Sequence, residues 1–163
     1  MSEWYGASDG GFLKQRMDDY RSFLETIKPN WMVTVNYKRP LQGPVEERER
    51  VLMKDLQHWT TKLLQKLYGR KVAKRNANDE MLYAAFIQVG ESLGKEHLHL
   101  LVRVPYRFWL GFGRLAKSLW KTTDDVDVQL IDSVSDAVRY CSRDLTINPD
   151  RVFFSNGFRR SQQ

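Results

Sequence analysis

The chain has 163 residues, of which 42% are hydrophobic and 28% charged, the composition of a globular protein that can bury its own core. No apolar stretch is long enough to cross a bilayer, no secretory signal is recognisable at the start, and the one cysteine excludes an internal disulfide or a cysteine-based zinc site. We therefore expect a single domain over residues 1–163, a cytoplasmic location and no membrane partner. The net charge of +6 favours polyanionic partners.

Apolar residues recur at helical spacing in four segments and at strand spacing in five. In chain order these are helix 11–27, strand 31–38, helix 45–69, strands 81–90 and 97–104, helix 105–123, strand 125–131, helix 133–145 and strand 151–156. Gly69 marks the end of the longest helix, and Ser133 is the expected cap of the last one. The order predicts an α+β fold, an antiparallel-rich central sheet flanked by helices, in which the second and third strands form a hairpin.

Positive charge is concentrated in residues 66–75 and in residues 157–163, the end of the basic tail predicted over 146–163. Both are expected to be loops or tails, which can reach a phosphate backbone. Lys71, Lys74 and Arg75 are therefore predicted to contact nucleic acid.

The strand 97–104 carries two of the three histidines of the chain, His97 and His99, separated by one leucine. Alternate residues of a strand point to the same side, so both imidazoles are expected on one face of the sheet. Neutral imidazole is a common ligand of divalent transition metals, and such a pair could share one ion. The alternative is a pair of half-buried histidines that pack against their neighbours.

Three segments, "WMVTVNY", "HLHLL" and "AVRYCSRDL", resemble in order the three motifs of the HUH endonuclease superfamily, in particular the single-tyrosine initiators of rolling-circle replication. The resemblance spans about residues 31–145 and implies an RRM-like sheet. The family has a polar residue such as threonine in its first motif, which Thr34 matches. His97 and His99 match the second motif, and Tyr140 the tyrosine of the third. At position 143 this chain has arginine where the family has lysine. Arginine keeps the positive charge, but it cannot lose its proton, which excludes a proton relay through this residue.

The resemblance implies a metal-dependent, sequence-specific endonuclease and strand transferase that nicks single-stranded DNA at a hairpin or cruciform replication origin. Tyr140 would be the nucleophile, forming a covalent 5′-phosphotyrosine, with Arg143 assisting and Thr34 contacting the DNA. His97 and His99 would bind Mn²⁺ or Mg²⁺. Gln88 is the expected third ligand and Glu91 the alternative. The chain contains no phosphate-loop motif, so any helicase would be a separate protein.

Other interpretations share part of this pattern. A transposase or relaxase of the same superfamily would use the same chemistry, whereas a non-catalytic nucleic-acid-binding α+β module would use the histidines structurally. Tyr37 and Tyr106, at predicted strand ends, are alternative nucleophiles without the motif context. Glu96 lies on the strand face of Leu98 and is expected to point away from any metal.

Overall fold

The computed structural model describes residues 9–38, 41–73, 81–89, 96–123, 125–143 and 152–154. The helices are α1 (Asp9–Thr26), α2 (Val45–Tyr68), α3 (Arg70–Ala73), α4 (Phe112–Ser118) and α5 (Val134–Ser142). The strands are β1 (Trp31–Asn36), β2 (Leu82–Val89), β3 (Glu96–Arg103), β4 (Val126–Leu130) and β5 (Val152–Phe154). Over the described ranges, none of the helices has the length and apolar character needed to cross a membrane.

The five strands form one antiparallel sheet in the order β4-β1-β3-β2-β5. Strands β2 and β3 are sequence neighbours and pair over their full length, which agrees with the predicted hairpin. β1 lies between β3 and β4, although it precedes both in the chain by many residues. The predicted α+β architecture, an antiparallel sheet flanked by helices, is confirmed.

The two faces of the sheet are covered by different helices. Val33, Leu98 and Leu100 lie on one face and pack with α2 and α4 in the larger apolar cluster. Trp59 at the centre of that cluster is fully buried, and its indole Nε1 donates to the Ala116 carbonyl, which joins the two helices. The opposite face packs against α1 and α5, and the candidate site lies on that face.

The predicted helix 105–123 is wrong in its first half. A single 3₁₀ turn covers Tyr106–Phe108, and α4 begins only at Phe112. Gly111 precedes α4 with φ of 79°, a left-handed conformation that glycine adopts without steric cost and that cannot continue a helix. Phe108 and Trp109 pack partly buried against the larger apolar cluster, whereas Leu110 is fully exposed, so the apolar spacing of this segment does not mark one helical face.

Two smaller boundaries also bear on the predictions. Gly69 ends α2 as expected, with its N–H donating to the Gln65 carbonyl. The segment that follows, predicted to be a loop, begins with the short helix α3. Ser133 caps α5 as predicted, because its hydroxyl accepts from the backbone N–H of Asp136 at 3.3 Å.

Candidate active site

Polar side chains replace apolar ones at one end of the sheet, on the face shared with α1 and α5. His97 and His99 lie there on β3, two residues apart and therefore on the same side. On the neighbouring strand Thr34 is paired with His99, and Asn36 with His97. Directly opposite residues of antiparallel strands share a face, so the two pairs form a polar patch.

Each histidine ring contacts β1 through its Nδ1 atom. His97 Nδ1 lies 2.6 Å from Asn36 Oδ1, and His99 Nδ1 lies 3.1 Å from Thr34 Oγ1. A hydrogen bond at Nδ1 holds the imidazole ring in its orientation. The two imidazoles therefore lie on one face of the sheet, and each is oriented by a residue of β1.

His99 is buried, with 3% of its surface exposed, whereas His97 is partly exposed. The pKa of His99 is lowered from 6.5 to about 4, mainly by burial and to a smaller extent by the nearby His97 and Arg143. His99 is therefore neutral at physiological pH, the form in which imidazole binds a metal.

Acid should destabilise the metal-free protein through His99. The unfolded chain binds this proton near pH 6.5 and the folded chain only near 4, so stability falls as the pH is lowered through that interval. The measurement is the free energy of unfolding in urea, with a chelator present, at neutral pH and at about pH 4.5. Over this interval we expect the free energy of unfolding of His99→Gln to fall by roughly 2 to 3 kcal/mol less than that of the wild type. Equal losses would contradict the lowered pKa.

The helix α5 brings Tyr140 to the histidines. Val138 and Cys141 of this helix are fully buried against the sheet, so the adjacent Tyr140 lies at the side of the helix with 45% of its surface exposed. Its ring meets the His99 ring edge to face, with the ring centroids 5.3 Å apart. The tyrosine predicted as nucleophile and a histidine predicted as ligand are thus in direct contact.

Arg143 caps the end of α5, and its guanidinium carbon lies 4.8 Å from the centroid of the Tyr140 ring. Residues three apart on a helix are neighbours, and this spacing accounts for the contact. The cation also acts electrostatically on His99. Thr34, His97, His99, Tyr140 and Arg143 therefore lie together, although they belong to three separate elements.

The alternative nucleophiles lie elsewhere. Tyr37 is buried and donates to Asp55 Oδ2 at 2.8 Å, and burial raises the pKa of its phenol well above the usual value. Tyr106 is 81% exposed but follows the far end of β3. Cys141 adjoins Tyr140 but is buried beneath α5, which raises the pKa of its thiol to about 12. Tyr140 is therefore the best placed of these nucleophiles.

The third ligand falls on a less fully described part of the chain. The backbone of Gln88 pairs with His97 in the β2–β3 register, while its side chain and all of Glu91 lie outside the described residues. Within the described part, no group of three or more histidine, cysteine, aspartate or glutamate side chains could hold a metal. The described residues thus supply two candidate ligands, His97 and His99, and a site for a divalent ion would need a third, for which Gln88 and Glu91 remain the predicted residues.

Glu96 faces away from the histidines, as predicted. Its side chain is 1% exposed on the opposite face of the sheet, where Arg48 Nη1 lies 2.6 Å from its Oε1 atom. Removing Arg48 would leave the buried carboxylate of Glu96 without its counter-charge, so the pair belongs to the core and not to the candidate site.

A cavity on the opposite face of the sheet is also separate from the histidines. It measures about 770 Å³ and lies beyond the end of β1, between the start of α2 and the segment that links α4 to β4. Its lining includes Tyr37 and Trp120 together with Lys38 and Lys121. Because Tyr37 belongs to the apolar cluster of α2, the sheet lies between this cavity and the patch of histidines.

Of the predicted DNA contacts that the structure describes, Thr34 lies beside His99 and Lys71 lies apart from the histidines. Lys71 lies with Lys62 and Arg70 around a cavity of about 420 Å³ at the end of α2, on the other side of the sheet. Lys74 and Arg75 lie outside the described residues. Thr34 is partly buried and bonded to His99, so its contact with DNA stays a prediction.

Two residues of the site were not predicted from the sequence. Asn36 follows Thr34 by two positions on the same strand, so alternation alone would have placed it on the histidine face. Asp125, which precedes β4, accepts a hydrogen bond from Asn36 Nδ2 at 3.2 Å. Strand pairing brings these two residues together across 89 positions, and no local pattern could have identified the contact.

Comparison of the chain with protein-family models, with curated proteins and with solved structures finds no match.

Proposed function

We propose that the protein is a metal-dependent endonuclease and strand transferase that nicks single-stranded DNA through a covalent 5′-phosphotyrosine on Tyr140 and so initiates rolling-circle replication. The observation that carries the proposal is the contact of Tyr140 with His99, at 5.3 Å between ring centroids, with Arg143 over the same tyrosine ring. A tyrosine, a cation and two imidazoles at one partly exposed surface are the groups that a metal-assisted phosphoryl transfer requires.

His97 and His99, with Gln88 or Glu91, would hold Mn²⁺ or Mg²⁺. When bound, the ion supplies Lewis-acid polarisation of a phosphate oxygen and neutralises charge in the transition state. The protein supports this by keeping His99 neutral through burial and by bonding both imidazoles to β1. The neutral imidazole of His99 can accept a metal without first losing a proton.

Tyr140 would attack the scissile phosphorus with its phenolic oxygen. The new Oη–P bond replaces the P–O3′ bond, the phenol loses its proton to solvent, and the departing 3′ oxygen takes up a proton to leave a free 3′-hydroxyl. Arg143 remains charged and would stabilise the developing phenolate and the phosphate. Because the phosphotyrosine is an ester like the one broken, the reverse reaction can rejoin a strand.

A partner with unpaired bases suits this site better than a duplex. Tyr140 lies at the side of α5, and a scissile phosphate must approach both it and the His97–His99 pair, which a strand in a relaxed duplex is not free to do. A hairpin or cruciform origin would supply such a strand in the cytoplasm. Lys71 would contact DNA remote from the cut, and any helicase would act as a separate protein.

Cleavage should therefore depend on the form of the DNA. With labelled oligonucleotides and Mn²⁺, we expect a covalent adduct on denaturing gels with single-stranded or cruciform DNA and none with a relaxed blunt duplex of the same sequence. Binding to the single strand should weaken with salt, with a slope of about −0.7 per phosphate contact. Efficient cutting of the blunt duplex would contradict the proposal, and binding without any adduct would favour a non-catalytic module.

A transposase or relaxase would form the same adduct, so this chemistry does not separate the three roles. Supplying a plasmid whose origin the protein nicks, and following its replication in cells, distinguishes an initiator from an enzyme that only moves or transfers DNA.

A further inference from the structure

Asn36 lies between an acidic side chain and one of the candidate ligands. Its Nδ2 atom is 3.2 Å from Asp125 Oδ1, and its Oδ1 atom is 2.6 Å from His97 Nδ1. The three side chains thus form a continuous chain of hydrogen bonds from the edge of the sheet to the histidine patch.

The direction of each bond follows from what each group can donate. A carboxylate only accepts, so the amide of Asn36 must turn its NH₂ group towards Asp125. The carbonyl oxygen of the amide then faces His97, and because this oxygen also only accepts, His97 Nδ1 must carry the hydrogen. In a neutral imidazole this leaves the lone pair on Nε2.

We propose that Asp125, acting through Asn36, holds His97 in the tautomer protonated at Nδ1 and thereby makes Nε2 the metal-binding nitrogen. Asp125 and Asn36 are positioning residues, since neither is required to touch the ion or the DNA. The statement about the metal rests on the proposed function, whereas the tautomer is a property of the metal-free protein.

The backbone keeps Asp125 beside Asn36 independently of these side chains. The Asn36 N–H donates to the Asp125 carbonyl at 2.9 Å, and Thr123 Oγ1 donates to the Asn36 carbonyl at 2.9 Å. The same threonine oxygen accepts from the Asp125 N–H at 3.1 Å. A change of the Asp125 side chain should therefore alter which groups donate and which accept in the side-chain hydrogen bonds, without moving the strand.

His99 is held differently. A threonine hydroxyl can donate or accept, so the bond from Thr34 to His99 Nδ1 is compatible with either tautomer of His99. His97 instead faces the amide oxygen of Asn36, which can only accept, so the effect of Asp125 should be confined to the His97 ring.

The test is the tautomer of His97 in metal-free protein with a chelator, read from the ring ¹⁵N shifts at a pH where the ring is neutral. We expect His97 to be protonated at Nδ1 in the wild type. Asn36→Ala removes the acceptor and Asp125→Asn removes its orientation, so both variants should move the proton population towards Nε2. Asp127→Asn is the matched control. Asp127 lies two positions after Asp125 in the chain, but its carboxylate accepts from Gln129 Nε2 at 2.7 Å and not from Asn36.

Manganese binding by calorimetry provides a second measurement. Loss of such an outer contact typically weakens a metal site by 10- to 100-fold, and we expect about that loss for Asn36→Ala and no loss for Asp127→Asn. The exchanged pair Asn36→Asp with Asp125→Asn keeps an acceptor towards His97 and a donor beside it. This double variant should restore both the tautomer and most of the affinity.

A wild-type His97 protonated at Nε2, or a tautomer and affinity unchanged in Asn36→Ala, would overturn the inference. Absence of manganese binding in the wild type would overturn its statement about the ligating nitrogen. Failure of the proposed function gives another result, in which the tautomer and the metal affinity respond as expected but no DNA adduct forms.

Discussion

Replacing Tyr140 with phenylalanine is expected to abolish the covalent DNA adduct while leaving the fold and DNA binding intact. The substitution removes one hydroxyl from a ring that is 45% exposed, so the ring contact with His99 can persist and little packing is lost. Without the phenolic oxygen no phosphotyrosine can form. Mass spectrometry of the wild-type adduct should locate the 5′-phosphate on the peptide that contains Tyr140.

The matched control for this change is Tyr106→Phe, which also removes a hydroxyl from an exposed tyrosine, 81% exposed and distant from the histidines. It should form the adduct at the wild-type rate. A full yield of adduct from Tyr140→Phe, or a DNA-linked peptide elsewhere in the chain, would refute the assignment of the nucleophile.

Replacement of His97 or His99 by alanine should eliminate metal-dependent cleavage. A bound ion contributes several kcal/mol of transition-state stabilisation, so its loss corresponds to a decrease in rate of roughly a thousandfold or more. Cleavage rates and calorimetric affinities in limiting Mn²⁺ would be compared with the wild type. His97→Ala is the cleaner variant, because His97 is partly exposed whereas His99 is 3% exposed and its removal leaves a cavity.

His58→Ala is the control, since it removes the third histidine of the chain, which lies on α2 across the sheet. Cleavage by either site variant at the wild-type rate, with thermal unfolding confirming the fold, would show that the histidines are not ligands. Gln88→Ala and Glu91→Ala extend the test to the third ligand. The variant that loses more metal affinity identifies the third ligand. If both variants keep the wild-type metal affinity, neither residue is the third ligand.

The fold was predictable where local periodicity and burial agree. The alternation in β1 and the long apolar stripe of α2 are properties of neighbouring residues, and both elements occur close to their expected limits. The helix predicted over 105–123 is wrong in its first half, because the apolar spacing continues through a 3₁₀ turn and the left-handed Gly111. The spacing includes Tyr106 and Leu110, which are exposed, so in this segment it reports neither burial nor the backbone conformation.

Some contacts of the candidate site were likewise predictable from local spacing. Histidines two apart on a strand had to share a face, and a tyrosine and an arginine three apart on a helix had to be neighbours, because these spacings match the periods of strand and helix. The sequence by itself therefore determined the pairs His97 with His99 and Tyr140 with Arg143. It also determined that Glu96 faces the other way, since one position of displacement along a strand reverses the side.

Only the tertiary structure decided how these pairs meet. The packing of Val138 and Cys141 on the sheet sets Tyr140 against His99, and the pairing of β1 with both β3 and β4 brings Asn36 between His97 and Asp125. Such contacts join residues that are distant in the chain, and their formation depends on strand order and register, which follow from burial of the whole core. A local pattern carries no information about that order, because the same alternation is compatible with any neighbouring strand.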